Sequence, residues 1–478
     1  MQRIFGIGFF VVLVSQGLAQ AQAQLPVGDA LSRAQTIDGH YISWKEHLID
    51  GLELTGVDIS GSDGLAMADL DKDGFEDIVS VHESDNTYDS SQVLPGFQPP
   101  PRGHVRVAFG SADPDNWVNI TLAEGAEASA AEDVAIGDVN GDGYLDVMAA
   151  VEISHLLYLQ NPGANARNET WDRLIIPITQ NRGSFIRVYL EDIDGDGTPE
   201  AVTPNKGAQR PGPDDYARST PVSIFKVSGD PLVGSNWEEQ ILGRYSVPRN
   251  SEPFDLDQDG DLDILVGSTG ERRIIFFENV DAANMEFVEH AVGINGPAMQ
   301  GFRIRYSDLS GDGRLDMISQ TGRTNLAWIE QPARKGDAWN SYPIGTFNTD
   351  TMTGIEIADI DGDGDIDLMA GSYSAGDRMD DESNDSNRPL GRLAWFENPG
   401  DAKSAWARHD ISRRIRAMYD KFIARDMDGD GDIDFVTTRG NSYPYDGVMW
   451  LEQVRTESPV AAFARARDED SPEMPLPD

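Results

Sequence analysis

The sequence predicts an all-β fold, a single seven-bladed β-propeller. Three observations lead there. A nine-residue acidic motif recurs seven times along the 478 residues. Each copy lies between two short apolar stretches that alternate with strand periodicity. The first such stretch of the chain supplies the one strand that the last repeat lacks. With 48 Gly and 26 Pro, the composition favours many turns and short strands over long helices.

The motif reads D-x-[DNS]-x-D-G-x-x-[DE], and its copies begin at Asp69, Asp138, Asp192, Asp255, Asp308, Asp359 and Asp426. Successive copies start 51 to 69 residues apart, a period that suits a propeller blade of four strands. Side-chain oxygens at positions 1, 3, 5 and 9, with the carbonyl of position 7, can converge on one hard cation. Glycine at position 6 permits the sharp turn. All-oxygen, carboxylate-rich ligation selects Ca2+. The expected ligands are Asp69, Asp71, Asp73 and Asp77; Asp138, Asn140, Asp142 and Asp146; Asp192, Asp194, Asp196 and Glu200. They continue with Asp255, Asp257, Asp259 and Asp263; Asp308, Ser310, Asp312 and Asp316; Asp359, Asp361, Asp363 and Asp367; and Asp426, Asp428, Asp430 and Asp434. Up to seven structural calcium ions are expected.

Each blade can be written in order. Strand A precedes the loop. Strand B follows it, as in DIVSVH (77–82) and DLMAGS (367–372). Strand C often ends in an aromatic-acid-amide corner, as in LAWFEN (393–398) and VMWLEQ (448–453). Strand D starts at Trp117, Trp171, Trp237, Trp339 and Trp406. The seventh repeat has no strand D of its own. Trp44-Lys45-Glu46-His47-Leu48-Ile49 matches the pattern of the others, so residues 42–50 are expected to complete blade seven and close the ring.

These residues resemble the FG-GAP/VCBS repeat family of calcium-loop β-propellers. The resemblance covers nearly all of the chain after its first residues. It implies the fold more than the function, since the family includes adhesion modules, repeat proteins and polysaccharide lyases.

The ends read differently. Arg3, the apolar run Ile4–Leu13 and the small residues Ala19 to Ala23 predict an export signal over 1–23, the apolar run being too short to span a bilayer. The propeller is expected over 24–454. Residues 455–478, rich in Pro, Ala and acid, read as a loose tail. The mature chain is expected to be secreted or periplasmic, monomeric and without a membrane span. The charge of −44 excludes nucleic-acid binding, and the absence of cysteine excludes disulfides, thiolate metal sites and a Cys nucleophile.

Strand topology assigns the faces. If strand A descends into the acidic loop, the B–C and D–A loops share the opposite, top face. The long insertions, Glu83 to Gly103, Lys206 to Pro221 and Ser374 to Gly391, all fall there. Counting back five and three residues from each first loop Asp gives the side chains expected to face the channel. Among them are Arg187, Tyr189, Arg303, Arg305 and Lys421. With Lys206, Arg323 and Arg439 at the strand B ends, and Arg182 and Arg249 in D–A loops, they form an expected basic mouth. It reads either as structural ion pairs or as a site for an anionic polymer. His82, His104 and His155 are expected beside it, as acid and base or as ligands of a transition metal. His47, His290 and His409 lie in strand D patterns and read as structural.

Arg with His and Tyr suits β-elimination of a uronate, which needs a neutralised carboxylate, a base for the C5 proton and an acid for the leaving oxygen. Here the sequence is similar to the seven-bladed propeller polysaccharide lyases of the ulvan-lyase type. That resemblance implies His82, His104 and Tyr189 as catalytic residues, with Tyr373 and Tyr419 as alternatives for the tyrosine. Arg187, Lys206, Arg303, Arg305, Lys421, Arg439 and His155 are the expected substrate contacts. The other reading is a non-catalytic module that binds glycans or proteins at a cell surface.

Overall fold

A computed structural model describes residues 24–84, 103–152, 154–374, 381 and 385–477. The expected export signal at 1–23 lies outside the described residues, as do most of the first B–C insertion and part of the third.

Seven small sheets form a seven-bladed β-propeller. Blade one is Ser62–Ala68, Asp77–His82, His104–Phe109 and Val118–Glu124, in hydrogen-bonding order. The same antiparallel A-B-C-D order builds every sheet, through to Thr351–Ala358, Asp367–Tyr373, Gly391–Glu397 and Ala407–Arg414 in blade six. In the last sheet, Phe422–Arg425, Asp434–Arg439 and Gly447–Thr456 are joined by Tyr41–Gly51, antiparallel to the third, with Trp44 opposite Gln453. Among the described residues, α-helix amounts to two four-residue segments, Leu52–Thr55 and Pro213–Tyr216. No helix among them is long and apolar enough to cross a membrane.

The core lies between blades, where apolar faces of neighbouring sheets interdigitate. Val79, Val107 and Phe109 of blade one pack with Val134, Val147 and Leu157 of blade two. Ile49, Val436, Val448 and Trp450 of the last sheet pack with Leu65, Ile78 and Ala108 of the first. Strand D tryptophans Trp171, Trp237, Trp339 and Trp406 are buried in these seams, as is Trp44.

The acid-amide corner after strand C links local sequence to packing. In blade two, the Asn161 N–H donates to Asp146 Oδ1 at 2.8 Å, and its side-chain amide donates to the Leu70 carbonyl of blade one at 2.9 Å. Gln453 repeats this with Asp434 at 2.8 Å and the Ile360 carbonyl of blade six at 3.0 Å. One amide therefore holds its own acidic loop and its neighbour's.

Strand A carries a feature that simple alternation does not foresee. In blade one, Ser62 pairs with His82 but Leu65 pairs with Ser80, so Asp63 and Gly64 oppose Val81 alone. In blade two Glu132 is the extra residue, and in blade four Arg249. Blades five and six slip at the same place. A β-bulge re-aims the strand at that point, so residues six and five before the loop both turn toward the axis.

The stretch beyond Arg455 is not a loose tail. Phe463–Ala464 pairs in parallel with Trp44 and Lys45. Met474 N–H donates to the Arg413 carbonyl at 2.7 Å, and Ser471 and Met474 are buried. The segment stays because its acids neutralise buried arginines: Asp470 lies 2.7 Å from Arg439 Nη1, and Glu473 3.3 Å from Arg414 Nε.

Candidate functional site

The top of the ring encloses a cavity of about 540 Å³. Its wall follows the repeat. Six residues before the first loop Asp of successive blades stand Asp63, Glu132, Ile186, Arg249, Phe302, Thr353 and Asp420, and all seven line it. Six residues after the ninth loop position stand Glu83, Glu152, Lys206, Gly322 and Tyr373, which line it too. Arg210, Gln209 and Tyr216 enter from the blade-three insertion.

Below this cup the channel is filled by ion pairs that cross the ring. Asp420 of blade seven accepts hydrogen bonds from Arg187 Nη2 of blade three at 3.1 Å and from Arg303 Nη2 of blade five. Lys421 Nζ lies 3.2 Å from Asp133. Arg305 makes a two-pronged bond to Glu356, at 2.8 and 2.9 Å. Burial works against the charged form of Asp420, yet Arg303 and Arg187 overcome it and hold the carboxyl below its ordinary value. Burial likewise opposes the Arg187 guanidinium, which Asp420 and Asp133 hold above its ordinary value.

The residues expected to act chemically do not gather at the cavity; His82 and His104 pair across blade one, apart from His155 and Tyr189. His82 is 0% exposed, its ring bonded to Ser62 Oγ at 2.7 Å and Ser80 Oγ at 3.0 Å. Burial, then Arg106 and His104, lowers its pKa well below the ordinary histidine value, so it is neutral and sealed inside blade one. His104 stands opposite it in the sheet, half-buried, 3.1 Å from Ser84 Oγ. His155 is buried, bonded to the Glu127 carbonyl at 2.9 Å. Tyr189 lies in the plugged channel and donates to Asn250 Oδ1 at 2.6 Å; burial, then Glu252 and Asp133, pushes its pKa well up. None of these four lines the cavity.

The expected basic contacts divide. Arg187, Arg303, Arg305 and Lys421 are spent on the channel pairs, and Arg439, fully buried, on Asp470. Arg182 pairs with Glu239 at 2.6 Å. Lys206 reaches the cavity but is paired with Glu152. Arg323 and Arg249 remain. Both line the cavity and neither has a carboxylate partner among the described residues. Arg249 Nε is buried without an acceptor. Phe302 braces this side, with the guanidinium carbons of Arg187, Arg303 and Arg249 at 4.5, 5.7 and 6.0 Å from its ring centroid. His47, His290 and His409 are structural, each bonded to a corner glutamate: Glu452, Glu278 and Glu397 at 2.7, 2.6 and 2.7 Å.

The opposite side of the cup is acidic. Asp63, Glu83 and Glu132 place carboxylate oxygens within 4.8 Å of one another, and Glu152 lines the cavity beside them. Burial, then Glu152 and Glu83, raises the Glu132 pKa well above the ordinary carboxylate value. The signal for this ring was present in the repeat register. It is six residues from the loop, one beyond the position that unbroken alternation selects.

On the bottom face the acidic loops have the geometry of cation cradles. Oxygens of Asp69, Asp71 and Asp77, of Asp255, Asp257 and Asp259, and of Asp359, Asp361 and Asp367 cluster within 4.8 Å. The position-six glycines hold φ between 86° and 100°, as the turn requires. Burial first, then neighbouring loop acids, pushes Asp77, Asp263 and Asp434 up to about 7 and Asp367 to about 8. Asp192 Oδ1 is buried without a donor. These donor sets fit a hard cation. Loop three differs, since Lys226 Nζ sits among Asp194, Asp196 and Glu200, at 2.8 Å from Asp196 and 3.2 Å from Glu200.

Comparison with known proteins agrees with the repeat reading. The family described as "FG-GAP-like repeat" matches residues 255–319 and 308–370. No curated protein matches the sequence. The chain is similar to the solved NanB sialidase of Streptococcus pneumoniae at 11% identity and TM-score 0.41, covering 86% of this chain and 70% of that one. It is also similar to the Cps50 (Swd1) β-propeller domain of Myceliophteria thermophila at 7% identity and TM-score 0.43, covering 86% of this chain and 99% of that one.

Proposed function

We propose that this FG-GAP-like repeat propeller is an exported, monomeric, calcium-loaded protein that takes acidic sugars of an extracellular polysaccharide into its top cavity. One observation carries the reading. In a chain of net charge −44, Arg249 and Arg323 line a cavity with no carboxylate partner among the described residues. A guanidinium fork matches carboxylate and sulfate, and Tyr373 and Tyr216 line the same cavity, offering aromatic surface to a sugar ring. Calcium in the bottom loops would hold the blades rigid beneath this site, and the N-terminal strand would close the ring.

A second reading, β-elimination of a uronate, is favoured by Tyr373 and Tyr216 lining the cavity with those arginines. An arginine would neutralise the carboxylate and one tyrosine, as its phenolate, would take the C5 proton and become the phenol. The other would protonate the leaving oxygen as the C4–O bond breaks and the C4–C5 double bond forms. His82 has no part in it.

Both readings meet one experiment. Calcium-loaded protein is offered a panel of uronate-containing and sulfated polysaccharides, with binding followed by calorimetry and elimination by the ultraviolet absorbance of the unsaturated product. Binding that falls at least tenfold in Arg249→Ala and Arg323→Ala, with flat absorbance, supports a binding module. Rising absorbance, lost in Tyr373→Phe or Tyr216→Phe, supports a lyase. Absence of binding to every polymer, from folded protein, overturns both.

A further inference from the structure

The acidic side of the top cavity has no role in capturing an anion. Its residues come from equivalent positions of adjacent blades: Asp63 and Glu132 at the strand A bulges, Glu83 and Glu152 just past strands B. The Lys206 ammonium among them is paired with Glu152, and Arg210 lines the same cavity. Oxygens of Asp63, Glu83 and Glu132 lie within 4.8 Å of one another, a spread that ligands at 2.3–2.6 Å from one Ca2+ can span.

A second observation points to a positive ligand, independently of this clustering. Gln209, 8% exposed, lines the same cavity and donates through Nε2 to Glu83 Oε1 at 2.9 Å, leaving its amide oxygen buried without a donor. Turning the amide over would place oxygen against carboxylate, so this orientation is the one the neighbour enforces. Glu152, 1% exposed, likewise has Oε2 buried without a donor. Both orphans are acceptors. An anion cannot satisfy them, and a buried acceptor left unmet is costly.

We propose that Asp63, Glu83, Glu132, Glu152 and Gln209 form a divalent-cation site in the top cavity, separate from the seven bottom loops and suited to Ca2+. The donors are all hard oxygens, four carboxylates and an amide carbonyl, which favours calcium over softer transition metals. The site opens on the cavity, so the ion would keep coordination positions for water or a ligand oxygen. The inference stands without the polysaccharide reading, because it concerns only the metal.

The test counts ions. Calcium bound per chain is measured by equilibrium dialysis on the whole protein and on Glu132→Gln, Gln209→Met and Lys206→Met. Circular dichroism and the retained bottom-loop equivalents report folding. The expected result is one equivalent lost, or weakened at least tenfold, in Glu132→Gln and Gln209→Met. Lys206→Met removes the competing ammonium and should tighten that same equivalent about tenfold, a gain that misfolding would not produce. Equal counts and affinities in all four proteins would overturn the site. So would a Lys206→Met variant that binds no tighter while Glu132→Gln loses several equivalents at once, which would make Glu132 a structural residue only.

Discussion

Replacing Asp420 by Asn tests whether the channel is held by buried charge. Asp420 is 4% exposed and is the shared acceptor of Arg187, 0% exposed, and Arg303, 5% exposed. The amide keeps the shape and removes the charge, so two buried guanidinia lose their common counter-ion. Removing one partner of a buried pair costs about 3–5 kcal/mol. Asp133 also acts on both arginines, which sets the expectation at the lower end, about 3 kcal/mol. Against a total stability of about 5–15 kcal/mol that is easily read as a shifted urea midpoint with unchanged slope.

The pH dependence makes the test sharper. Asp420 is held below its ordinary value of 3.8, so its stabilisation is complete above that value and is lost as pH falls through its lower folded value. The gap between wild type and Asp420→Asn should therefore be full at neutral pH and shrink below about pH 4. Adding Arg303→Met to the variant should recover part of the loss, because one stranded charge disappears. A loss below about 1 kcal/mol at neutral pH, or a gap that does not change with pH, would refute the reasoning.

Other consequences follow from the same geometry. Chelation should lower the melting temperature, since a ligand present at a hundred times its Kd stabilises the folded state by about 2.7 kcal/mol per site. Without calcium, stability should fall as pH rises from about 4 to 8, because Asp77, Asp263, Asp434 and Asp367 keep their protons to about 7, 7, 7 and 8 when folded; calcium should abolish the slope. Lys226→Ala should raise the calcium affinity of loop three, measured by dialysis; an unchanged affinity would mean the ammonium is no competitor. Trp44→Ala should cost about 3–5 kcal/mol in urea unfolding, Trp44 being 2% exposed between the last two sheets. Ending the chain at Arg455 should destabilise it by a similar amount, as Asp470 and Glu473 leave Arg439 and Arg414 buried; a fully stable truncation would show the segment to be dispensable.

The fold was legible because its signals are local and repeated. Seven acidic loops, the Trp that opens strand D in five of the first six blades and the match of residues 44–49 to that strand each follow from a short stretch read against its copies. The tail was misread for the opposite reason. Its Pro, Ala and acid composition looks unstructured alone, and Asp470 and Glu473 gain their meaning only from Arg439 and Arg414, more than thirty positions away. His82 was misplaced because a polar residue ending a strand B resembles a mouth residue. Two serines, Ser62 and Ser80, satisfy its ring and allow it to be buried instead.

The cavity wall shows how one residue of register separates structure from function. Unbroken alternation selects positions five and three before each loop, and those side chains do reach the channel. They are Arg187, Arg303, Arg305 and Lys421, and they are consumed in pairing across the ring. The bulge adds position six to the inward face, higher up, where Asp63, Glu132 and Arg249 meet the opening. A bulge leaves no mark in composition or periodicity, because its extra residue is a backbone event. Charge at position five therefore stabilises the ring; at position six Asp420 of blade seven reaches down to join that pairing, while Arg249 of blade four stays at the opening without a carboxylate partner among the described residues. Exchanging the two within one blade, for instance Arg249→Asn with Asn250→Arg in blade four, should move an arginine from the cavity into the plug. Anion binding at the mouth should fall while stability changes through the Tyr189–Asn250 bond that is lost. Unaltered binding by that double variant would show that the bulge does not set the division.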